Sequence, residues 1–315
     1  MVDWVERMNK GGRTLMETTR SRRIRPEVVL GIFTVAAAIL VAVMAVLCLP
    51  YYFETDDPEP HVHQSGQNLI PAPEETEEVT EPEETMEPTI PPELNPYGRL
   101  DFQYDRNNYL YCLRQDSWPG VDVSAFQGTI DWEKVAASGI KYAMVRLGYR
   151  GYGKAGRMVV DEYAQANLKG ARDAGLQVGA YFFSQALSIE EADEEIEFMM
   201  EILGDFPLDM PIILDWEQIT VEGSRTVNMD ARTLTDIQLH FCKTMTEMGY
   251  QPMIYFNWYQ STRLMYLHEL EEYPFWLALY QDRMTYPYRV EMWQYTDKGR
   301  VPGIQGDVDI NVYMP

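Results

Sequence analysis

Two acidic residues directly follow an apolar stretch in the sequence PIILDWEQ, at positions 211–218. Successive side chains of a β-strand point to opposite faces, so Asp215 and Glu217 share one face, with Cα atoms about 6.6 Å apart. Two carboxylates at this spacing repel each other, and the repulsion raises the pKa of at least one of them. General acid–base chemistry near neutral pH needs such a raised pKa, so we predict that this pair is catalytic.

Asp122 and Asp309 are two further carboxylates in apolar segments, GVDVS (120–124) and DVDINVY (307–313). A single aspartate at a strand end often only caps a loop, and this alternative stays open for both residues. In a barrel of parallel strands, the residues at the carboxyl ends gather at one rim. If the last strand closes against the first, Asp309 lies beside Asp122 and all four acids face one cleft.

Apolar, β-rich segments alternate with helical patterns along the second half of the chain. The predicted strands are 120–124, 142–148, 178–184, 211–217, 251–256, 275–280, 290–295 and 307–313. Helical patterns follow the first four strands, whereas only loops or short turns separate the last ones. This alternation predicts an α/β protein with a parallel, TIM-like barrel of eight strands that lacks its late helices.

Aromatic residues gather near the predicted strand ends. Most of them are expected in the core or the barrel wall, and a minority would line the cleft as a platform for sugar rings. Tyr149 belongs to the glycine-rich stretch GYRGYG (148–153), which we predict to be a loop over the barrel mouth. The residues predicted to bind substrate are Tyr149, Tyr181, Tyr255, Trp276 and Gln294.

Residues 28–49 form an uncharged run of 22 residues, VVLGIFTVAAAILVAVMAVLCL. A helix of this length spans the roughly 30 Å hydrocarbon core of a bilayer. Residues 1–27 carry seven basic and four acidic residues, so the positive-inside rule predicts a basic cytoplasmic head. We expect a single-pass protein of the cell membrane whose remaining domain is extracellular. A cleaved signal peptide, the alternative, would have a shorter apolar core.

Residues 50–97 are predicted to form a disordered acidic linker, and residues 98–315 the barrel domain. Positions 54–97 contain thirteen Asp or Glu and nine Pro but no Lys or Arg, which keeps a chain extended. The net charge of −23 argues against nucleic acid as a partner. No cofactor or metal site is predicted, and no protein partner is identified. Whether Cys112 and Cys242 form a disulfide stays open.

The order of the motifs resembles glycoside hydrolase family 25, the cell-wall muramidases also called Chalaropsis-type lysozymes. The matching segments are DVSAFQGTIDW (122–132), the strand of Arg146, GAYFFSQA (179–186), the DWE of the fourth strand, IYFN (254–257), FWLALY (275–280), WQYT (293–296) and DVDIN (307–311). The resemblance covers about residues 118–315. It implies a (β/α)5(β)3 barrel that cleaves the β-1,4 bond between N-acetylmuramic acid and N-acetylglucosamine in bacterial peptidoglycan.

The resemblance also implies an active site made of Asp122, Asp215, Glu217 and Asp309. Glycoside hydrolysis needs one acid to protonate the leaving oxygen, and we assign this role to Glu217. Asp215 would steady the substrate's own acetamido group, although a water activated by one of the aspartates stays open. Two other functions remain alternatives: a chitinase-like β-1,4-N-acetylglucosaminidase, and a barrel that binds the wall without turnover.

Overall fold

A computed structural model of the protein describes residues 92–315. The predicted basic head, the transmembrane helix at 28–49 and the linker up to residue 91 lie outside these residues. Within residues 92–315, no helix combines the length and the apolar character needed to cross a membrane.

Eight strands close into a barrel that is surrounded by helices on part of its circumference. The strands of residues 92–315, including three outside the barrel (β1, β2 and β5), are β1 (Phe102–Tyr104), β2 (Leu110–Cys112), β3 (Trp118–Val123), β4 (Tyr142–Arg150), β5 (Met158–Val160), β6 (Gln177–Ser184), β7 (Ile212–Trp216), β8 (Pro252–Asn257), β9 (Phe275–Ala278), β10 (Met292–Gly299) and β11 (Val308–Tyr313). The helices are α1 (Trp132–Ala137), α2 (Ala164–Asp173), α3 (Ile189–Leu203), α4 (Ala231–Glu247) and α5 (Trp258–Arg263), with 3₁₀ turns at Ala125–Gln127 and Leu267–Glu269.

The barrel strands follow the order β3-β11-β10-β9-β8-β7-β6-β4, and pairing of β3 with β4 closes the ring. The first five of these strands along the chain are each followed by a helix, whereas β9, β10 and β11 follow one another without one. This arrangement confirms the predicted α/β barrel of eight strands with missing late helices. Because parallel strands present their carboxyl ends at one rim, this rim is the place to examine for a site.

The expectation of a fully parallel sheet is wrong for the last strand. β11 runs antiparallel to both of its neighbours, β10 and β3. Asp309 therefore reaches the barrel mouth because it lies at the start of β11. In a parallel arrangement, a residue at the mouth would instead lie near the carboxyl end of the strand. The register pairs Asp309 directly with Asp122, so the predicted neighbourhood is correct for a different geometric reason.

The glycine-rich stretch after β4 also differs from the prediction. β4 continues to Arg150 and forms an antiparallel hairpin with β5, in which Tyr149 pairs with Val159. Tyr149 is thus a strand residue, because the backbone hydrogen bonds of the hairpin extend the strand past the predicted end at residue 148. The hairpin β4–β5 rises from the carboxyl end of β4, on the rim that carries the acids.

Side-chain caps fix where several helices begin. Ser188 accepts a hydrogen bond from the backbone N–H of Glu191 at the start of α3, and Asp230 does the same for Thr233 at the start of α4. Such caps satisfy N–H groups that have no partner inside the helix. The helices then bury apolar stripes against the outside of the barrel, such as Leu234, Ile237, Phe241 and Met245 of α4.

The barrel interior is filled by its own cluster of large side chains. Its members are Tyr142, Met144, Tyr181, Met210, Ile213, Met253, Tyr255, Trp276, Ala278 and Met292. Gly120 makes room for one of them, since a Cβ at this position would lie 2.2 Å from the ring of Tyr142. The interior of the barrel is therefore packed with side chains.

The segment before β3 covers the flank of the barrel that has no helices. The ring of Phe102 on β1 packs edge-on against Trp293 of β10 with centroids 5.2 Å apart, and the backbone N–H of Leu110 on β2 donates to the Tyr295 hydroxyl at 3.2 Å. A barrel wall with apolar residues on its outer face needs such a cover. The hairpin β1–β2 thus covers the outer face of β10, as helices cover strands elsewhere in the barrel.

Contacts with the barrel begin upstream of residue 98, the predicted start of the domain. Leu94 forms a β-bridge with Tyr288, and the backbone N–H of Asn95 donates to Pro287 O at 2.9 Å. Cys112 and Cys242 are both buried free thiols, so the disulfide that the sequence left open is not formed.

Candidate active site

The four predicted acids lie at the mouth of the barrel. Asp122 is the last but one residue of β3, and Asp309 is the second residue of β11. Asp215 lies near the end of β7, and Glu217 is the first residue after β7. The three aspartates are buried, at 4%, 2% and 4% exposure for Asp122, Asp309 and Asp215, whereas Glu217 is half-buried. Charges of the other three acids all raise the pKa of Asp215, which shows that they share one electrostatic site.

Asp122 and Asp309 form a pair of neighbouring carboxyl groups across β3 and β11. Burial raises the pKa of Asp309 well above its ordinary value, a hydrogen bond with Asp122 opposes this shift, and the charges of Asp297 and Glu217 add to it. Asp309 is therefore harder to ionise than a solvent-exposed aspartate, mainly because it is buried.

Two amide groups fix the carboxylate of Asp122. Its Oδ2 accepts a hydrogen bond from Gln294 Nε2 at 3.0 Å and another from Asn311 Nδ2 at 2.7 Å. Both amide side chains are buried, at 1% and 0% exposure. Because one oxygen is held by two donors, the carboxyl group cannot rotate freely, and its second oxygen is aimed in a defined direction.

Aromatic side chains in turn orient these two amides. The hydroxyl groups of Tyr255 and Tyr280 donate to Gln294 Oε1 at 3.3 and 3.1 Å. Trp276 Nε1 donates to Asn311 Oδ1 at 2.8 Å. The amide oxygens are thus occupied, which leaves the amide nitrogens to point at Asp122.

Asp215 and Glu217 form the second acidic pair. Burial raises the pKa of Asp215 well above its ordinary value, and the charges of Glu217 and Asp122 raise it further, while Arg146 opposes the shift. Asp215 Oδ1 is buried and has no hydrogen-bond partner among the described residues. A buried carboxyl oxygen without a partner is costly, so Asp215 Oδ1 is a candidate acceptor for a hydrogen bond from a bound molecule.

Arg146 on β4 is a buried cation beside these acids. Its Nε lies 2.8 Å from Asp161 Oδ2, and both side chains are almost completely buried. The same oxygen accepts the backbone N–H of Ala125 at 2.8 Å. The guanidinium group also lies over the rings of Phe126 and Tyr149, 5.1 and 5.2 Å from their centroids. Arg146 is thus held in place. Its charge lowers the pKa of Asp215, but burial and the neighbouring acids raise this pKa more.

All five residues predicted to bind substrate lie in or beside the site. Their exposures are 8% for Tyr149, 6% for Tyr181, 4% for Tyr255, 2% for Trp276 and 1% for Gln294. Trp276 packs edge-on against Tyr181 and Tyr255, with centroids 6.4 and 5.0 Å apart. Trp276 and Gln294 therefore support other site residues in the structure, and direct contact of any of the five with a sugar stays a prediction.

Several residues of the site were not among the predicted ones. Asn311 was detectable, because it follows Asp309 by two positions in a strand and so shares its face. Tyr280 ends the predicted strand 275–280, but nothing in the sequence distinguishes it from the other aromatic residues at strand ends. The pairing of Arg146 with Asp161, fifteen residues away along the chain, had no signal in the sequence. Among residues 92–315, no group of three or more His, Cys, Asp or Glu is arranged to hold a metal ion.

Comparisons with known proteins agree with this geometry. The model of "Glycosyl hydrolases family 25" matches residues 121–304. The uncharacterised protein YegX of Escherichia coli K12 is 30% identical over 62% of this chain and 68% of its own length. Lysozyme M1 of Streptomyces globisporus is 27% identical over 62% of this chain and 67% of its own length.

A solved structure supports the fold. The modular autolysin LytC of Streptococcus pneumoniae superposes with a TM-score of 0.55 at 24% identity, over 67% of this chain and 52% of its own. The chain thus spans about half the length of that autolysin. Because the family model covers more than half of the chain, with the acids of β3 and β7 inside the match, the protein belongs to glycosyl hydrolases family 25 and is a glycoside hydrolase.

Proposed function

We propose that the protein is a muramidase that cleaves the β-1,4 bond between N-acetylmuramic acid and N-acetylglucosamine in peptidoglycan. The names of its relatives support this substrate: Lysozyme M1 of Streptomyces globisporus and the autolytic lysozyme of Clostridium acetobutylicum. The pneumococcal autolysin LytC was also solved with a synthetic peptidoglycan ligand. Glycan strands of peptidoglycan are accordingly the proposed partner.

The observation that carries the proposal is the arrangement of Asp215 and Glu217. Asp215 is buried, its pKa is raised, and its Oδ1 lacks a partner, whereas Glu217 two residues later is half-buried at the mouth. Glu217 can therefore reach a glycosidic oxygen and donate a proton to it. Asp215 supplies an acceptor that a substrate N–H can satisfy.

The role proposed for Asp215 is to steady the 2-acetamido group of the substrate. As the bond to the leaving oxygen breaks, positive charge builds at the anomeric carbon, and the acetamido oxygen attacks it in place of a protein nucleophile. The cyclised group carries a positive charge, which the Asp215 carboxylate stabilises. In the other route, an aspartate activates a water molecule, and Asp122 and Asp309 are the candidates. In the substrate-assisted route these two bind the sugar and tune the catalytic pair.

A chitinase-like activity is the alternative in the same chemical class. The acids that such a motif carries upstream of Asp-x-Glu would fall on Ile213 and Met210, and both positions are apolar. Both residues also pack into the barrel interior, where an acid would lack a partner. A wall-binding barrel without turnover is the alternative outside enzymes. Such a barrel would need no proton donor at the mouth, which is the role proposed for the half-buried Glu217.

The finer proposal for the whole protein is that it works on the cell wall from a membrane anchor. Residues 28–49 supply the uncharged run, and the acidic, proline-rich stretch after it supplies the reach. The basic residues of positions 1–27 favour a cytoplasmic N-terminus. Protease added to intact protoplasts should then remove the barrel and leave a membrane-bound stub. A barrel protected from this protease would refute the orientation.

The decisive test of activity is to digest purified peptidoglycan with a protein of residues 92–315 and to analyse the products by mass spectrometry. Muramidase cleavage leaves N-acetylmuramic acid at the new reducing end. A new reducing end on N-acetylglucosamine would contradict the bond assignment. Digestion of chitin oligosaccharides but not of peptidoglycan would support the chitinase-like alternative, and no product from either would support the binding barrel.

A further inference from the structure

The strand that carries the catalytic pair is only partly held by its neighbour β8. Along one edge, β7 pairs with β6 up to Trp216. Along the other edge, it pairs with β8 only at Ile212 and Ile213. In a parallel sheet every second residue directs its carbonyl to the same neighbour, so the carbonyls of Leu214 and Trp216 face β8 where pairing has stopped. Buried carbonyls need another donor there.

Two buried glutamines take the place of β8 at these positions. Gln238 of α4 donates through Nε2 to Leu214 O at 3.2 Å. Gln260 of α5 donates through Nε2 to Trp216 O, and its Oε1 accepts the backbone N–H of Asn257. Both side chains are fully buried, at 0% exposure. The two bonded carbonyls belong to the residues immediately before and after Asp215.

A third glutamine holds Glu217 itself, beyond the end of the strand. Gln185 Nε2 donates to Glu217 O at 2.7 Å and to Ser184 O at 2.9 Å, and its Oε1 accepts the hydroxyl of Thr226 at 3.3 Å. A flipped amide would place its oxygen against two carbonyl oxygens, so only this orientation fits the contacts. Gln185 is also 0% exposed.

The place of Gln185 is fixed from behind by a buried ion pair. Its backbone N–H donates to Glu195 Oε1 at 3.4 Å, and the same oxygen lies 2.7 Å from Arg150 Nε. Thr226 also accepts the backbone N–H of Ile219 at 3.0 Å, which folds the chain after Glu217 back toward Gln185. Hydrogen bonds therefore hold the backbone of Glu217 in place, although this residue lies outside the sheet.

We propose that Gln185, Gln238 and Gln260 are positioning residues for the pair Asp215 and Glu217. The three amides hold the carbonyls of residues 214, 216 and 217, and so fix the peptide planes from which both carboxyl groups project. This inference rests on the proposed catalytic role of the pair. A displacement of about 1 Å in a reacting group can lower turnover about a hundredfold, so the hydrogen bonds that hold this backbone affect kcat.

The alternative is that the glutamines only satisfy buried carbonyls and stabilise the fold. The two interpretations predict different effects on the activity of the folded enzyme when a glutamine is replaced. Gln185→Met and Gln260→Met keep the side-chain volume and remove the donor. Two controls match them: Leu270→Ala, which removes a fully buried side chain shortly before β9, and Gln177→Met, which makes the same chemical change at an exposed position at the start of β6.

The experiment measures kcat, KM and the pH profile of kcat on peptidoglycan, at a temperature at which circular dichroism shows every variant folded. We expect Gln185→Met and Gln260→Met to lower kcat about ten- to a hundredfold, with KM nearly unchanged. Gln238→Met should have a smaller effect, because the carbonyl that it holds precedes both acids. The alkaline limb of the profile, which reports ionisation of the catalytic acid, should move to lower pH. A displaced Glu217 is repelled less by Asp215 and therefore ionises more readily. Both controls should keep the wild-type values.

Wild-type kcat and pH profile in the folded Gln185 and Gln260 variants would overturn the inference. A loss of activity that follows only the loss of folded protein, as in Leu270→Ala, would overturn it too. If the wild-type protein cleaves no glycan, the proposed function fails, and crystal structures of the same variants decide the inference alone. An unmoved Glu217 backbone in these crystals would overturn it, and a displaced or disordered one would support it.

Discussion

Replacement of Asp215 by Asn is the sharpest test of why two acids lie one residue apart at the end of β7. The change is isosteric and removes a carboxyl group that is 4% exposed and lies beside Glu217. It also removes the group proposed to steady the cyclised acetamido group. The two consequences differ in what they alter: loss of the like charge shifts the pH profile, and loss of transition-state stabilisation lowers kcat.

The size of the pH effect follows from the spacing of the two acids. In an extended chain, Cα atoms two residues apart are about 6.6 Å apart, and two charges at the same separation repel by about 2.5 kcal/mol at an effective dielectric constant of about 20, which corresponds to almost two pH units. Glu217 is half-buried, so solvent screens part of this repulsion, and we expect a shift of about one pH unit. With the repulsion gone, the catalytic acid ionises more readily, and the alkaline limb moves to lower pH.

The kinetic effect is expected mainly in kcat. Removal of one group that stabilises charge in the transition state lowers turnover by about 10²- to 10³-fold, whereas binding of the ground state changes little. The assay is the release of soluble fragments from purified peptidoglycan between about pH 4 and pH 9, a range that covers the ordinary and raised pKa values of carboxyl groups. A thiazoline that mimics the cyclised acetamido group should bind the wild type much more tightly than the variant.

The same variant should be more stable than the wild type at neutral pH. The folded-state pKa of Asp215 is raised, so its contribution to stability is complete below the unfolded-state value and is lost as the pH rises through the folded-state value. Asn carries no charge at any pH. The melting temperature of Asp215→Asn should therefore exceed that of the wild type at pH 7, and the difference should shrink toward about pH 4.

Three results would refute this reasoning. One is an alkaline limb that stays in place together with a loss in kcat of less than about tenfold. The second is equal affinity of both proteins for the thiazoline. The third is a product of inverted configuration, which would assign the attack to a water molecule activated by Asp122 or Asp309.

Two further changes test other parts of the structure. Glu217→Gln should lower turnover by at least about a hundredfold while the melting curve stays that of a folded domain, because an amide cannot donate the catalytic proton; activity within tenfold of the wild type would remove Glu217 as the acid. Phe102→Ala should lower the melting temperature by about 6–12 °C without changing kcat, because its buried ring covers Trp293 on the helix-free flank; a change of less than about 2 °C would mean that the hairpin β1–β2 is not part of the stable domain.

The sequence was sufficient to predict the barrel and the placement of the four acids at its mouth, because each acid follows or interrupts a strongly apolar strand. It was insufficient for the direction of β11. The pattern DVDINVY alternates in the same way whichever way the strand runs, and only its pairing with β3 and β10 decides the direction. The hairpin β1–β2 was also missed, since strands of three residues, FQY and LYC, are too short to show a period.

The supporting shell of the site was beyond sequence reasoning for a different reason. Asn311 shares a strand face with Asp309 and was within reach of the period-two pattern. Gln238 and Gln260 are single polar residues in helical patterns, and nothing local tells which carbonyl such a residue will meet. Their role exists only because β7 and β8 separate after Ile213, and strand separation is a property of the closed barrel.

The choice of amides to hold the acids has a physical consequence for catalysis. Gln294 and Asn311 fix Asp122, and three glutamines hold the carbonyls of residues 214, 216 and 217, all as neutral donors. A Lys or Arg in direct contact with Asp215 would hold it as firmly but would favour the ionised form and lower its pKa. The buried cation nearby, Arg146, is paired with Asp161 at 2.8 Å, which limits its pull on Asp215. Positioning by amides therefore keeps the carboxyl group in place and leaves its pKa raised, as burial and the neighbouring acids set it.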